Sequence, residues 1–256
     1  MPARGRILRG ERWAEALQRA MERPPGDAAD WMERHCRVLK RDRDSRVGLT
    51  ELEGELCYLK FYRHKSAAQR LLFRLGRGRG VRAYDRAREL AAAGIPVPEP
   101  RACLLVESGM MLVTEGVPGA IDLKALWQRE NPPGEGGALL EAAGQALARL
   151  HVAGYAHGDC KWSNLLWSAG GFSMVDLEAV TRTAPGSRGQ ARDVARFTVN
   201  AEDLGVPQDL FERFLDCYTR HARLDREQVV EGMMPDLQRY RSRHRNRYGE
   251  RGNRLL

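Results

Sequence analysis

Long apolar runs are missing from this chain of 256 residues. No stretch approaches the roughly 18 consecutive apolar residues that a membrane-crossing helix needs, so no span is expected. The opening MPARGRILRGERW has no apolar core of the kind that marks a secretory signal, and cytoplasmic residence is the expectation. Cysteine is scarce. Cys36, Cys57, Cys103, Cys160 and Cys217 are odd in number and scattered, with no CxxC pair. That spacing argues against a disulfide framework and a structural zinc site, and predicts reduced, mostly buried thiols. Repeats and low-complexity tracts are also absent.

What is present is ordinary for a globular protein: 43% hydrophobic and 30% charged residues, enough length for one large domain or two lobes. The net charge is +8, much of it arginine. The basic residues gather at the start, in the segment 63–88, and in RYRSRHRNRYGERGNR near the end. Such clusters attract polyanions in general. Anionic lipid head groups, phosphorylated saccharides and nucleic acid all qualify, and composition does not choose among them.

Hydrophobic periodicity divides the chain. Trp13, Leu17 and Met21 recur every four residues in 11–22, as in an amphipathic helix that Pro24-Pro25-Gly26 ends. CRVLK (36–40), RVGLTEL (46–52) and ELCYLKFY (55–62) read as strands, the last two joined by a tight Glu53-Gly54 turn. RLGRGRGVR (74–82) reads as a connector, and 83–94 as a helix closed by Gly94. The prolines of IPVPEP impose extended chain. Two more strands follow, with a turn at Ser108-Gly109. The first 116 residues are thus expected to form a five-stranded antiparallel lobe with one internal helix. After a hinge near 115–119 the pattern turns helical. A short helix before Pro132-Pro133 is followed by a buried one at 138–154 with Leu140, Leu147, Leu150 and His151 on one face. Three more helical segments follow residue 190. The expected domains are 1–116 and 117–256.

The chemistry concentrates in HGDCKWSN (157–164) and SMVDLE (173–178). Two short apolar runs, 165–167 and 172–175, frame a Ser-Ala-Gly-Gly turn and deliver Asp176. A loop, a hairpin and a carboxylate in this order suit phosphoryl transfer from a nucleotide. Asp159 is the candidate to orient or deprotonate an acceptor hydroxyl. Lys161 is within reach of the transferred phosphoryl group. Asn164 and Asp176 offer oxygens of the kind Mg²⁺ prefers. Gly158 permits the tight turn. His157 reads as a packed core histidine. Glu178 is either a second metal contact or a structural charge. Asp193 reads either as a carboxylate at a helix N-terminus, favoured by the dipole, or, by preference, as a buried aspartate that fixes the backbone of the HGD loop.

In the first lobe Leu56, Tyr58, Lys60 and Tyr62 share one strand face, and Lys60 there loses hydration unless an anion meets it. Lys60 is assigned to the nucleotide phosphates. Its carboxylate partner is Glu89, or alternatively Asp85, on the following helix. Glu115, at the hinge, completes the set of expected nucleotide contacts. No GxGxxG precedes Lys60, so phosphate cradling by backbone is looser than in protein kinases. Only Gly48 lies nearby, and Arg43 and Arg46 remain as candidate phosphate contacts.

With YLKFY around Lys60, RAYDRARELAAAGIPVPEP, HGDCKWSNLL, DLEAV at Asp176 and RDVARF at Asp193, the chain resembles the lipopolysaccharide kinase family, the Kdo and heptose kinases of Gram-negative bacteria. The likeness spans roughly residues 36–200. It implies an α+β, two-lobed protein-kinase-like fold, with an antiparallel N-terminal sheet lobe and a mainly helical C-terminal lobe. It also implies ATP with Mg²⁺, and transfer to a sugar hydroxyl of the lipopolysaccharide inner core. The implied partner is a core saccharide or lipid A-linked acceptor, met at the cytoplasmic face of the inner membrane, with the basic clusters offering a peripheral contact. No nucleic-acid partner is expected. Only 17 positions separate Asp176 from Asp193, too few for a peptide-docking platform. Two other readings stand beside this one. A kinase of a cationic small molecule such as an aminoglycoside or choline would want an acidic C-terminal lobe, which the basic tail opposes. A pseudokinase binding module would not need Lys60, Asp159, Asn164 and Asp176 together.

Overall fold

A computed structural model of the chain describes residues 5–21, 27–129, 135–168 and 171–256. The prolines at 24–25 and 132–133, and the centre of the Ser-Ala-Gly-Gly turn, lie outside these residues. The chain divides into two compact units, Met1–Gly119 and Ala120–Leu256.

The first unit contains β1 (Arg6–Arg9), α1 (Glu11–Met21), α2 (Ala28–His35), β2 (Arg37–Asp42), β3 (Ser45–Leu52), β4 (Glu55–Arg63), α3 (Ala67–Arg74), α4 (Arg79–Ala92), β5 (Pro100–Val106) and β6 (Gly109–Glu115). Its sheet is antiparallel and six-stranded, in the order β1-β5-β6-β4-β3-β2. The five expected strands are all present. The sixth, β1, is a four-residue edge strand, and α2 and α3 are helices that the sequence reading did not assign. Helix α4 begins at Arg79, inside the expected connector.

Alternation along β4 divides the unit into two cores. Cys57, Leu59 and Phe61 point to one face, where Trp13 and Leu17 of α1 and Trp31 and Met32 of α2 cover them. Tyr62 points to the other, with Phe73 of α3, Val81 and Tyr84 of α4, and Met110 and Leu112 of β6. Lys60 has the parity of Tyr62, so it lies on the α4 side of the sheet.

Close approach explains Gly48. A Cβ there would stand 2.8 Å from Cys36 Cβ and 3.6 Å from Met32 Cε. This glycine lets the end of α2 pack against β3, so its place in the sequence reports helix packing.

The second unit contains β7 (Ile121–Asp122), α5 (Leu123–Gln128), α6 (Glu135–Val152), β8 (Tyr155–Ala156), β9 (Leu165–Ser168), β10 (Gly171–Met174), β11 (Thr181–Arg182), α7 (Arg188–Asp203), α8 (Gln208–Ala222) and α9 (Arg226–Tyr248). Helices dominate it, α6 packing on α8 and α7 on α9. Leu140, Leu147, Leu150 and His151 are all buried, as their spacing predicts. The antiparallel sheet of the first unit and the helices of the second agree with the expected α+β class. Among the described residues no helix is long and apolar enough to cross a membrane. Four of the five cysteines are buried and all are free thiols. Desolvation pushes the Cys36 thiol up to about 11 and the Cys103 thiol up to about 12, so both stay protonated at neutral pH.

Candidate active site

The loop 157–164 enters from β8 and leaves into β9. Its first turn depends on Gly158, which sits at φ +79°, and a Cβ there would meet the Ala179 carbonyl oxygen at 2.6 Å. Asp193, buried on α7, holds the backbone of that turn. Its Oδ1 accepts the Gly158 N–H at 2.9 Å and its Oδ2 accepts the His157 N–H. His151 of α6 lies 3.3 Å from Asp193 Oδ2 through Nε2 and 2.8 Å from the Tyr218 hydroxyl through Nδ1. A carboxylate only accepts, so Nε2 carries the imidazole proton and Nδ1 accepts from Tyr218. Burial, reinforced by Asp193, pushes the Tyr218 phenol well up, which keeps that donor protonated. The expectation for Asp193 thus describes its contacts, and the structure adds His151 and Tyr218 behind it. His157 is fully buried with Nε2 3.1 Å from the Val175 carbonyl, as expected of a core histidine.

The far end of the loop is anchored by aromatic packing. Trp162 is fully buried and donates Nε1–H to the Phe197 carbonyl at 3.1 Å. Its ring packs on Phe197 at 5.1 Å, and Phe197 stacks on Phe214 at 3.9 Å. Burying each such ring contributes roughly 2–3 kcal/mol. The Trp162 N–H is taken by Asn200 Oδ1 at 3.1 Å. Helix α7 therefore grips the loop at both ends.

Between these anchors stands Asp159, whose side chain keeps 35% of its surface exposed. Lys161 Nζ lies 2.8 Å from Oδ2, and Arg196 Nε of α7 lies 3.6 Å from Oδ1. Asn164 Nδ2 donates to the Asp159 carbonyl at 2.9 Å and approaches Oδ2 at 3.5 Å. With the amide nitrogen committed in this way, the Asn164 side-chain oxygen is the atom left to act as a metal donor. The β9–β10 ladder brings Asp176 to the same end. Met174 pairs with Leu165, and the Val175 N–H donates to the Asn164 carbonyl at 3.0 Å. Asp176 sits in the left-handed region at φ +62°, which costs a non-glycine residue about 1 kcal/mol. Glu178 follows in the short 3₁₀ turn Leu177–Ala179.

Arg196 was not singled out by the sequence reading. It lies over the Tyr240 ring at 5.0 Å and bonds His244 Nε2 at 3.0 Å, and His244 Nδ1 meets Asp203. A chain of polar contacts from Asp203 on α7 through His244 on α9 thus ends at the candidate base. Some of the C-terminal basic cluster is structural. Arg239 pairs with buried Asp236, and Arg241 with buried Glu202.

In the first unit Lys60 is half-buried, its Nζ 5.2 Å from the Tyr62 ring centroid. Of its two candidate partners, Asp85 is engaged by Arg9 at 2.8 and 3.1 Å, which ties β1 to α4. Glu89, one turn further along α4, is half-buried and meets Arg86 at 2.6 Å. Glu115 does not join Lys60. It pairs directly with Cys57 across the sheet, so it shares the α1–α2 face, whereas Lys60 occupies the α4 face. Its Oε2 accepts the Glu99 N–H at 3.2 Å. Arg46 is also engaged, 2.8 Å from Glu33 of α2 and donating to the Asp42 carbonyl. Among the described residues no cluster of three or more His, Cys, Asp or Glu side chains can enclose a metal ion.

Comparison with known proteins gives consistent results. Residues 29–218 match the family described as "Lipopolysaccharide kinase (Kdo/WaaP) family". A 3-deoxy-D-manno-octulosonic acid kinase of Xanthomonas axonopodis pv. citri (strain 306) is 31% identical over 126 residues, 47% of this chain and 49% of that protein. One from Vibrio parahaemolyticus serotype O3:K6 is 38% identical over 81 residues, 30% of this chain and 33% of that protein. The chain thus spans about half the length of the Xanthomonas relative it matches, and less of the Vibrio one. A solved structure, WaaP in complex with acyl carrier protein, aligns over 86% of this chain and 93% of that one with TM-score 0.56 and 22% identity, a likeness of fold. The family match covers well over half of the residues, and the chain belongs to the lipopolysaccharide kinase (Kdo/WaaP) family.

Proposed function

We propose that this protein transfers the γ-phosphoryl group of ATP to a sugar hydroxyl of the lipopolysaccharide inner core. A Kdo hydroxyl is favoured over a heptose one, because the curated relatives above are 3-deoxy-D-manno-octulosonic acid kinases. The observation that carries the reading is the Asp159 carboxylate. It is accessible, flanked by two cations, on a loop whose backbone is pinned from below by Asp193.

In this reading Asp159 accepts a hydrogen bond from the acceptor hydroxyl and takes its proton late in a loose transition state, while Lys161 offsets charge on the phosphoryl oxygens. Arg196 keeps the carboxylate turned toward the acceptor. Mg²⁺ fits the Asn164 oxygen and the Asp176 carboxylate, both hard donors. Two protein ligands leave the rest of an octahedral shell to water and nucleotide phosphates. When bound, the ion supplies neutralisation of the polyphosphate. Lys60 is assigned to the nucleotide phosphates, with Glu89 as its partner, and Glu115 is kept as a further nucleotide contact at the end of β6. Core sugars carry carboxylates and phosphates, which arginine forks suit, and the acceptor is built on the cytoplasmic face of the inner membrane.

Mass spectrometry of lipopolysaccharide core from cells lacking the protein tests the assignment. Loss of one phosphate from a Kdo residue is expected, and an unchanged core refutes it. The Arg196 role has its own test. Arg196→Gln is expected to lower kcat about tenfold with the KM for ATP unchanged, since the residue contacts Asp159, which is assigned to the acceptor side. Equal falls in thermal stability and activity would mark it as merely structural.

A further inference from the structure

Helix α3 carries an apolar stripe that faces outward. Ala68, Leu71, Leu72 and Leu75 recur at i, i+3, i+4 and i+7, the spacing by which a helix normally buries one face. Here Leu71, Leu72 and Leu75 are 58%, 46% and 59% exposed, and the side that packs inward is represented by Phe73 alone. Half of the six large apolar side chains exposed in the described residues thus stand together on one turn and a half.

The charge around the stripe has one sign. No acidic residue occurs between Glu55 and Asp85, a stretch that contains Arg63, Lys65, Arg70, Arg74, Arg77, Arg79 and Arg82. Arg63 and Lys65 are offset by Asp27 and Asp44. Among the described residues, no carboxylate pairs with Arg70, Arg74, Arg77 or Arg82. Arg70 instead donates to His64 Nε2. Burial and then the charge of Arg70 hold His64 below its ordinary range, so that ring stays a neutral acceptor.

We propose that α3 is a docking element for an anionic phospholipid bilayer, its leucines entering the interface between head groups and acyl chains while Arg70, Arg74 and Arg77 meet lipid phosphates. An exposed leucine stripe flanked by arginines without acidic neighbours is what such a surface selects. A basic or neutral protein surface would call for acidic or polar contacts on α3 itself, and α3 has no acidic residue. The proposal is independent of the phosphoryl-transfer reading, because lipid binding is measured without turnover.

The test is co-sedimentation of the full chain with vesicles of phosphatidylethanolamine and phosphatidylglycerol, against vesicles of phosphatidylcholine alone. Wild type is expected to sediment with the anionic vesicles, less so at high salt, and weakly with the neutral ones. L71Q/L72Q/L75Q and R70Q/R74Q/R77Q are each expected to reduce partitioning about tenfold or more, with the thermal unfolding midpoint unchanged because these side chains already face water. Failure of the wild type to bind anionic vesicles overturns the proposal, as does wild-type binding by the leucine variant. A concentration-dependent dimer in analytical ultracentrifugation that the leucine variant abolishes would also overturn it, assigning the stripe to a second copy of the chain.

Discussion

Asp159→Asn is expected to leave a folded chain that transfers phosphate about a thousandfold more slowly. Asparagine keeps the shape of aspartate but only its oxygen accepts, so it retains one of the contacts to Lys161 and Arg196, while the anchors at Asp193 and Trp162 hold the loop geometry. It does not take a proton from a hydroxyl. The loss should fall on kcat, with the KM for ATP nearly constant, because Asp159 is assigned to the acceptor side of the reaction. Stability should change little: the side chain is about one-third exposed, and ion pairs in that setting contribute at most about 1 kcal/mol. A progress-curve assay of ADP release with acceptor, alongside thermal unfolding, separates these effects. An Asp159→Asn enzyme within threefold of wild-type kcat would remove Asp159 from the chemistry.

Asp193→Ala should have the largest effect on stability. The carboxylate is almost wholly buried and accepts from two backbone N–H groups and from His151. Without it, two buried donors and an imidazole N–H lose their acceptor, at a cost of about 1–3 kcal/mol per unsatisfied group. The expected destabilisation is about 3–5 kcal/mol, measured by denaturant unfolding monitored on the second unit. Should the alanine variant not accumulate, Asp193→Asn gives the second measurement. One amide end can accept a backbone N–H, but the other presents donors to a donor, so stability and kcat should both fall. Wild-type behaviour of Asp193→Asn would show that Asp193 does not organise the loop.

The parts of the site legible in the sequence are those set by local chain. Asp159, Lys161 and Asn164 lie within one loop of six residues, and the β9–β10 hairpin brings Asp176 beside Asn164 by simple strand pairing. The resemblance to the lipopolysaccharide kinases also held, over residues 29–218. What escaped was set by packing between distant elements. Arg196 is only three residues past Asp193, inside RDVARF, but its direction is given by Tyr240 and His244 of α9, more than forty residues away. The face of Glu115 is likewise set by strand parity, which puts its side chain on the opposite side of the sheet from Lys60. Helices α2 and α3 are eight residues each, too short for periodicity to stand out beside flanking turns and basic residues. The basic tail looked like one surface for an anion, whereas Arg239 and Arg241 serve to neutralise Asp236 and Glu202 on and beneath α9.

One measurement bears most directly on the account: incubation of the purified chain with γ-³²P-labelled ATP, Mg²⁺ and a Kdo-bearing lipid A precursor, followed by isolation of the lipid. The account predicts label on a Kdo hydroxyl, none with Asp159→Asn, and none when Mg²⁺ is chelated. Label that reaches no Kdo- or heptose-containing acceptor, or that persists undiminished in Asp159→Asn, would contradict it.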